Sequence, residues 1–214
     1  MLPEKHDVAG PENWVHGTRY QASDPTALYD MLTGLDIDHA EYSFIDLGSG
    51  KGRAVLVAAR LPFKKVIGVE YSTKLHEIGR RNLDRVPRSE QACGAIELAH
   101  ADAATIEIPA GPLVIFLYNP FGEPVMRRVV DNVDRSLRNA ERPVVVLYVN
   151  PRFAEPWLDA GFTADPRSTE WMAVLVRYVS PRARRSERAS SRGDRARRRS
   201  DRRVGGKAGL KAGA

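Results

Sequence analysis

Phe44-Ile45-Asp46-Leu47-Gly48-Ser49-Gly50-Lys51-Gly52-Arg53 is the stretch that decides how the chain folds. Its first half is apolar apart from Asp46, and its second half places three glycines within five positions. An apolar run that stops at glycines is a strand signal, and glycines at a strand end allow a tight turn and a close approach by a ligand. After the turn, Ala54, Val55, Val57 and Ala58 recur at helical spacing within 53–60, and Pro62 ends the run. Strand, glycine turn and helix form the building unit of doubly wound α/β sheets, whose ligands bind beyond the carboxyl ends of the strands.

The same alternation extends in both directions. Upstream, Asp24-Pro25 reads as a helix start, with Leu28, Met31, Leu32 and Leu35 following at helical spacing. Downstream, strands are expected at 65–70, 95–99, 113–118 and 144–149, with helices at 74–85, 125–137 and 155–160. The runs at 113–118 and 144–149 are apolar throughout, as in strands buried on both faces. Two last runs, about 162–165 and 171–179, read as a closing antiparallel hairpin. The expected fold is therefore α/β, a doubly wound and mostly parallel sheet with a C-terminal antiparallel strand. Residues 1–24 read as an irregular lead-in, 25–180 as the folded domain, and 181–214 as a disordered basic tail.

Charge supports that division. Residues 181–214 hold 13 Lys and Arg against 3 Asp and Glu, which leaves 20 of the 33 basic and 24 of the 27 acidic side chains for the rest. The domain is mildly acidic although the whole chain stands at +6. The tail has the charge for nonspecific contact with nucleic acid, but it lacks aromatic residues that would stack on bases. No apolar run approaches the ~20 residues of a membrane helix, and the N-terminus has no signal-peptide core. Cys93 is the single cysteine. A cytoplasmic protein with no membrane span is expected. The histidines show no metal-ligand spacing, so no metal is expected.

The glycine spacing is G-x-G-x-G. Dinucleotide sites use G-x-G-x-x-G with a helix N-terminus facing a pyrophosphate, and Arg53 stands here where the third glycine would be. Asp46, two places before Gly48, suits an ammonium group and opposes a pyrophosphate. The run D-L-G-S-G-K-G-R resembles motif I of the class I S-adenosylmethionine (SAM)-dependent methyltransferases. Val66-Ile67-Gly68-Val69-Glu70 ends the second strand in a carboxylate able to accept from both ribose hydroxyls, and that position binds the SAM ribose in the family. The resemblance implies SAM as cofactor, held by Asp46, Gly48, Ser49, Gly50, Gly52 and Glu70. It further implies that Tyr71 packs on the adenine and that the loop of Asp102 and Ala103 meets the adenine amino group.

Leu117-Tyr118-Asn119-Pro120-Phe121-Gly122, at the end of the fourth strand, is similar to the N-P-P-[FY] signature of methyltransferases acting on amide or exocyclic nitrogens, with one proline in place of two. The missing proline points away from bases. Asn119, Pro120 and Phe121 are the candidate catalytic residues: a proline stiffens the turn, an Asn oxygen orients an amino group, and an aromatic ring stacks on a planar or cationic substrate. Tyr118, Glu123 and His16 are the candidates for a base. The wording of the glycine turn, of Gly68-Val69-Glu70 and of the helix with His76 and Arg80-Arg81-Asn82 resembles the DOT1-like and other seven-strand protein-lysine methyltransferases. In those relatives residues placed like Tyr20 and Thr26 contribute to a lid. The expectation is an enzyme that methylates a protein lysine or a small-molecule nitrogen. A non-catalytic binding module of the same fold, or a tail-driven nucleic-acid binder, remains the alternative.

Overall fold

Strands that are apolar on both faces need cover on both sides, and short helices between them provide it. The computed structural model describes Val8 and residues 23–177. In chain order the elements are α1 (Pro25–Thr33), β1 (Ser43–Leu47), α2 (Arg53–Ala58), β2 (Lys65–Glu70), α3 (Thr73–Leu83), β3 (Ile96–His100), β4 (Leu113–Tyr118), α4 (Glu123–Asn139), β5 (Val144–Val149), α5 (Glu155–Asp159), β6 (Thr163–Ala164) and β7 (Met172–Arg177). They build one seven-stranded sheet in the order β3-β2-β1-β4-β5-β7-β6. The first five strands of that order are parallel, and β7 runs antiparallel to β5 and to β6. The order reverses between β1 and β4, which is the switch point where ligands enter such sheets.

Side-chain alternation divides the core in two. Ile45, Leu47, Ile115, Leu117, Val144 and Val146 belong to one buried cluster with Val129 and Val133 of α4 and Trp157 of α5. Phe44, Val114, Phe116, Val145 and Leu147 belong to the other, with Leu28 and Leu32 of α1 and Val55 and Ala58 of α2. The doubly wound sheet and its antiparallel finish are as expected from the sequence.

Three strands, β2, β4 and β5, have the expected bounds, and β1 is the apolar run that ends at the glycines. The remaining differences have local causes. β3 lies one residue later than expected, because this edge strand is only partly buried and apolar continuity does not mark its ends. α4 starts two residues early: Pro124 fits its first turn, where no N–H is needed, and the apolar stripe begins only at Val125. Phe162, expected at the start of a strand, instead turns inward and meets Trp157 edge-on at 5.2 Å, leaving β6 two residues long. Asp24 caps α1 as expected, its carboxylate accepting from Ala27 N at 2.9 Å. The lead-in, apart from Val8 and the two residues before α1, and the whole basic tail lie outside the described residues.

Gly68, in the middle of β2, ties this packing to the turn after β1. A methyl group on it would come within 2.7 Å of Val55 Cγ2, 2.8 Å of Leu98 Cδ2 and 3.0 Å of Ser49 Oγ. Val55 is β-branched and has little rotamer freedom to yield. Gly68→Ala is expected to destabilise the protein by about 1–3 kcal/mol, seen as a lower midpoint in urea unfolding. An unchanged midpoint would show that these side chains move aside freely.

Candidate functional site

The parallel strands β1, β2, β3, β4 and β5 all end at one edge of the sheet, where the glycine turn, Glu70, Asp102 and Asn119-Pro120-Phe121 stand at or just beyond the strand ends. The glycine turn leaves β1 and folds back over β2. The N–H groups of Gly48 and Ser49 both donate to the Val69 carbonyl at 2.9 Å, and Gly52 N donates to Ser49 O at 2.8 Å. Glu70 completes the closure: Oε2 accepts from Gly50 N at 2.7 Å and Oε1 accepts from Ser72 N at 2.9 Å. The same Ser72 caps α3 through its hydroxyl and forms an antiparallel bridge with Val8, which brings a residue of the lead-in to the tip of β2.

Gly48 sits at φ 93°, and a Cβ there would lie 2.5 Å from Pro120 Cβ. Only glycine allows that backbone and that contact together. The contact packs the tip of β4 against the turn after β1, so the cofactor-type motif and the Asn119-Pro120 corner are neighbours. Gly52, also at positive φ, leads directly into α2.

Three carboxylates are buried at this edge: Asp46 is 3% exposed, Glu70 4% and Asp102 8%. Burial pushes the Asp46 carboxyl well above the usual carboxylate range, and the charge of Glu70 raises it further. Glu70 is raised as well, chiefly by burial, against the opposing effect of the N–H groups of Ser72, Gly50 and Tyr71 and the charge of His100. Among the described residues no lysine or arginine pairs with Asp46 or Glu70. The Tyr71 hydroxyl is pushed up to about 12 by burial and then by Glu70. That hydroxyl is buried and has no hydrogen-bond partner among the described residues. Asp102 is buried after β3, and its Oδ1 holds its own loop by accepting from Ala104 N at 2.9 Å, while Ala103 is 7% exposed.

At the tip of β4, Asn119 has a left-handed backbone at φ 41° and is half-buried, as is Pro120. Phe121 is 8% exposed and belongs to the core cluster on the α4 side. Among the candidate bases, Glu123 is engaged with Arg127 one turn on, at 2.7 Å, and Tyr118 is half-buried. Thr26 is exposed in the first turn of α1, whereas His16 and Tyr20 lie outside the described residues.

Asn150 stands at this edge outside the motifs that the sequence offered. Asn150 at the end of β5 also has a left-handed backbone, φ 51°, and is also followed by proline. The signal was present, since a second Asn-Pro closes a second apolar strand. Trp171, expected at the start of the last strand, lies instead in the turn before β7, which begins at Met172.

Neither a protein-family model nor a curated protein matches the chain. Solved structures do. The chain is similar to the ribosomal protein L11 methylase of Lactobacillus delbrueckii subsp. bulgaricus, with TM-score 0.51, 15% identity, and coverage of 74% of this chain and 80% of that one. It is similar to a glycopeptide N-methyltransferase crystallised with SAM, with TM-score 0.52, 11% identity, and coverage of 76% and 90%. A SAM-dependent O-methyltransferase of Thermotoga maritima matches with TM-score 0.52, 15% identity, and coverage of 75% and 68%. The chain has the fold of the class I SAM-dependent methyltransferases. In this fold the glycine turn, Glu70 and Asp102 stand at three successive strand tips.

The buried Asp46 carboxyl has a consequence for the ligand-free protein. The native state holds its proton to a higher pH than the unfolded chain does. Between the two pKa values the native state binds more protons, so stability falls as pH rises through that window. Asp46→Asn removes the effect. It is expected to raise the melting temperature by about 2–4 °C near pH ~8, with the gap closing towards pH ~4. Melting curves that coincide at both pH values would mean that Asp46 is not strained by its burial.

Proposed function

We propose that the protein transfers a methyl group from SAM to a nitrogen atom of a protein lysine or a small molecule. The observation that carries the reading is the pair of buried carboxylates at the tips of β1 and β2, flanking the glycine turn with no lysine or arginine among the described residues paired to either. Such a pair is costly when left alone and suits a ligand that brings positive charge and N–H and O–H donors. SAM brings both, through its sulfonium and ammonium groups and its ribose hydroxyls. The buried Tyr71 hydroxyl, which has no partner among the described residues, fits the same ligand.

In this reading Asp46 faces the amino-acid end of the cofactor, and the turn of Gly48, Ser49, Gly50 and Gly52 lets the cofactor lie against the main chain. Glu70 accepts from the ribose. Its oxygens accept from Gly50 N and Ser72 N, with the Tyr71 N–H also acting on the carboxylate, and about four acceptor sites leave room for a ribose hydroxyl. Tyr71, Asp102 and Ala103 form the adenine side. When bound, SAM supplies an activated methyl group, which leaves alignment and exclusion of water as the main tasks of the protein. Asn119, held in place by Pro120 against Gly48, orients the acceptor, and Phe121 backs that corner from the core. The nitrogen preference rests on Asn119-Pro120-Phe121. The matched structures methylate acceptors as different as a ribosomal protein and a glycopeptide, by their names, and so do not choose one.

Calorimetry with SAM, S-adenosylhomocysteine and NAD tests the proposal. SAM and S-adenosylhomocysteine are expected to bind and NAD is not; a preference for NAD would end the reading. Glu70→Ala, shown to be folded by its melting curve, is expected to weaken SAM binding by about 1–3 kcal/mol.

Binding should also depend on pH. A cationic ligand favours ionised Asp46 and Glu70, whose native pKa values are raised, so affinity should fall on acidification. The fall should begin above the pH at which ordinary carboxylates titrate. A dissociation constant that stays flat down to pH ~4 would remove both carboxylates from the site.

A further inference from the structure

We infer that the acceptor is a primary nitrogen with two N–H bonds, and that Asn150 and Asn119 each accept one of them from adjacent strand tips. The inference rests on the methyl-transfer reading and deepens it.

The geometry comes from the strand register. Tyr118 of β4 pairs with Val149 of β5, so Asn119 and Asn150 are the next residues out on neighbouring parallel strands, whose spacing is about 4.8 Å. Both corners are Asn-Pro. Asn119 and Asn150 are also the two non-glycine residues at positive φ among the described residues. Such a backbone costs on the order of 1 kcal/mol or more, and strained positions of this kind gather at functional sites. Finding the same strained residue twice, side by side, at the ligand-binding edge needs a reason beyond turn-making.

The surroundings of Asn150 supply one. Its backbone is fully engaged: N donates to Trp171 O at 2.8 Å, and O accepts from Arg152 N at 2.9 Å. Its side-chain amide has no hydrogen bond among the described residues, although the residue is half-buried. A rigid backbone thus carries an amide that the fold does not use. Trp171, whose carbonyl clamps this corner, is 72% exposed, against 46% for Leu158, the other exposed large apolar residue among the described residues. It stands in the turn between Thr169 and Met172, and because β7 is antiparallel to β5 that turn lies at the same edge as the tip of β5. An indole there offers a flat surface for the stem that carries the nitrogen.

Two acceptor oxygens match a primary nitrogen. With both N–H bonds directed at amide oxygens, the lone pair is left to attack. It forms the N–C bond to the methyl carbon as the C–S bond breaks, and the electron pair passes to sulfur, which leaves as a neutral thioether. The methylated nitrogen then releases one proton to water. After one transfer a single N–H remains, so a second methylation would lose one of the two contacts.

The test uses the full chain saturated with S-adenosylhomocysteine, once calorimetry has shown that this ligand binds. Saturation-transfer NMR then measures n-butylamine against N,N-dimethylbutylamine, and deoxyadenosine against its N6,N6-dimethyl form. The protein is expected to prefer the primary member of one pair by about tenfold or more, and the pair that shows the preference tells an alkyl amine from a base. Asn150→Gly, which suits the left-handed backbone and should keep or raise the melting temperature, is expected to abolish the preference. Asn150→Asp, which keeps an acceptor oxygen, should retain it. No preference in the unaltered protein, or a preference that survives Asn150→Gly, overturns the inference. Failure to bind S-adenosylhomocysteine overturns the methyl-transfer reading instead, and the inference with it.

Discussion

The site depends on one hydrogen bond pair: Glu70 accepting from Gly50 N at 2.7 Å and from Ser72 N at 2.9 Å. Without it the glycine turn after β1 and the start of α3 after β2 would each leave a buried N–H to be satisfied elsewhere. With it, two strand tips become one rigid surface. Gly48 extends that surface to β4, since its lack of a side chain admits Pro120. The register of β4 with β5 extends it once more, to Asn150. A single buried carboxylate thus anchors a series of contacts that runs from the expected cofactor end to the expected acceptor end.

That arrangement is not the most stable one available. Asp46 and Glu70 are both desolvated, the charge of Glu70 raises the proton affinity of Asp46 further, and two asparagines adopt a backbone that glycine would accept more easily. The burial of the carboxylates has a natural counterpart in a ligand that brings positive charge. Strain gathered at one edge, while the strands below it are buried and regular, is the pattern of a scaffold that holds a site in readiness.

Much of the fold was legible because its determinants are local. β1, β2, β4 and β5 are apolar runs with clear stops, and Asp24-Pro25 is a helix start whose mechanism is contained in four residues. The edge strand β3 was less legible, since partial burial leaves its composition mixed, and Phe162 could not be assigned inward before Trp157 had a position. The candidate site divides in the same way. Asp46, the glycines and Glu70 are bound to sequence spacing, so they could be named. The Gly48–Pro120 contact joins residues 72 positions apart in the chain, and the clamp of Asn150 by Trp171 depends on β7 running antiparallel beside β5. Neither relation can be written as a motif.

The contrast also bears on where specificity resides. The matched structures share this fold at 11–15% identity, and by their names they act on unlike acceptors. In the proposed methyl-transfer reading, acceptor choice falls to the β4–β5–β7 edge, with two asparagine corners at positive φ and an exposed indole. An edge built from amides and an aromatic face, with Glu123 already engaged by Arg127, is better fitted to orient a neutral nucleophile than to deprotonate one. The acceptor nitrogen would then have to arrive with its lone pair available or lose its proton to water, a constraint that follows from the side chains present at this edge.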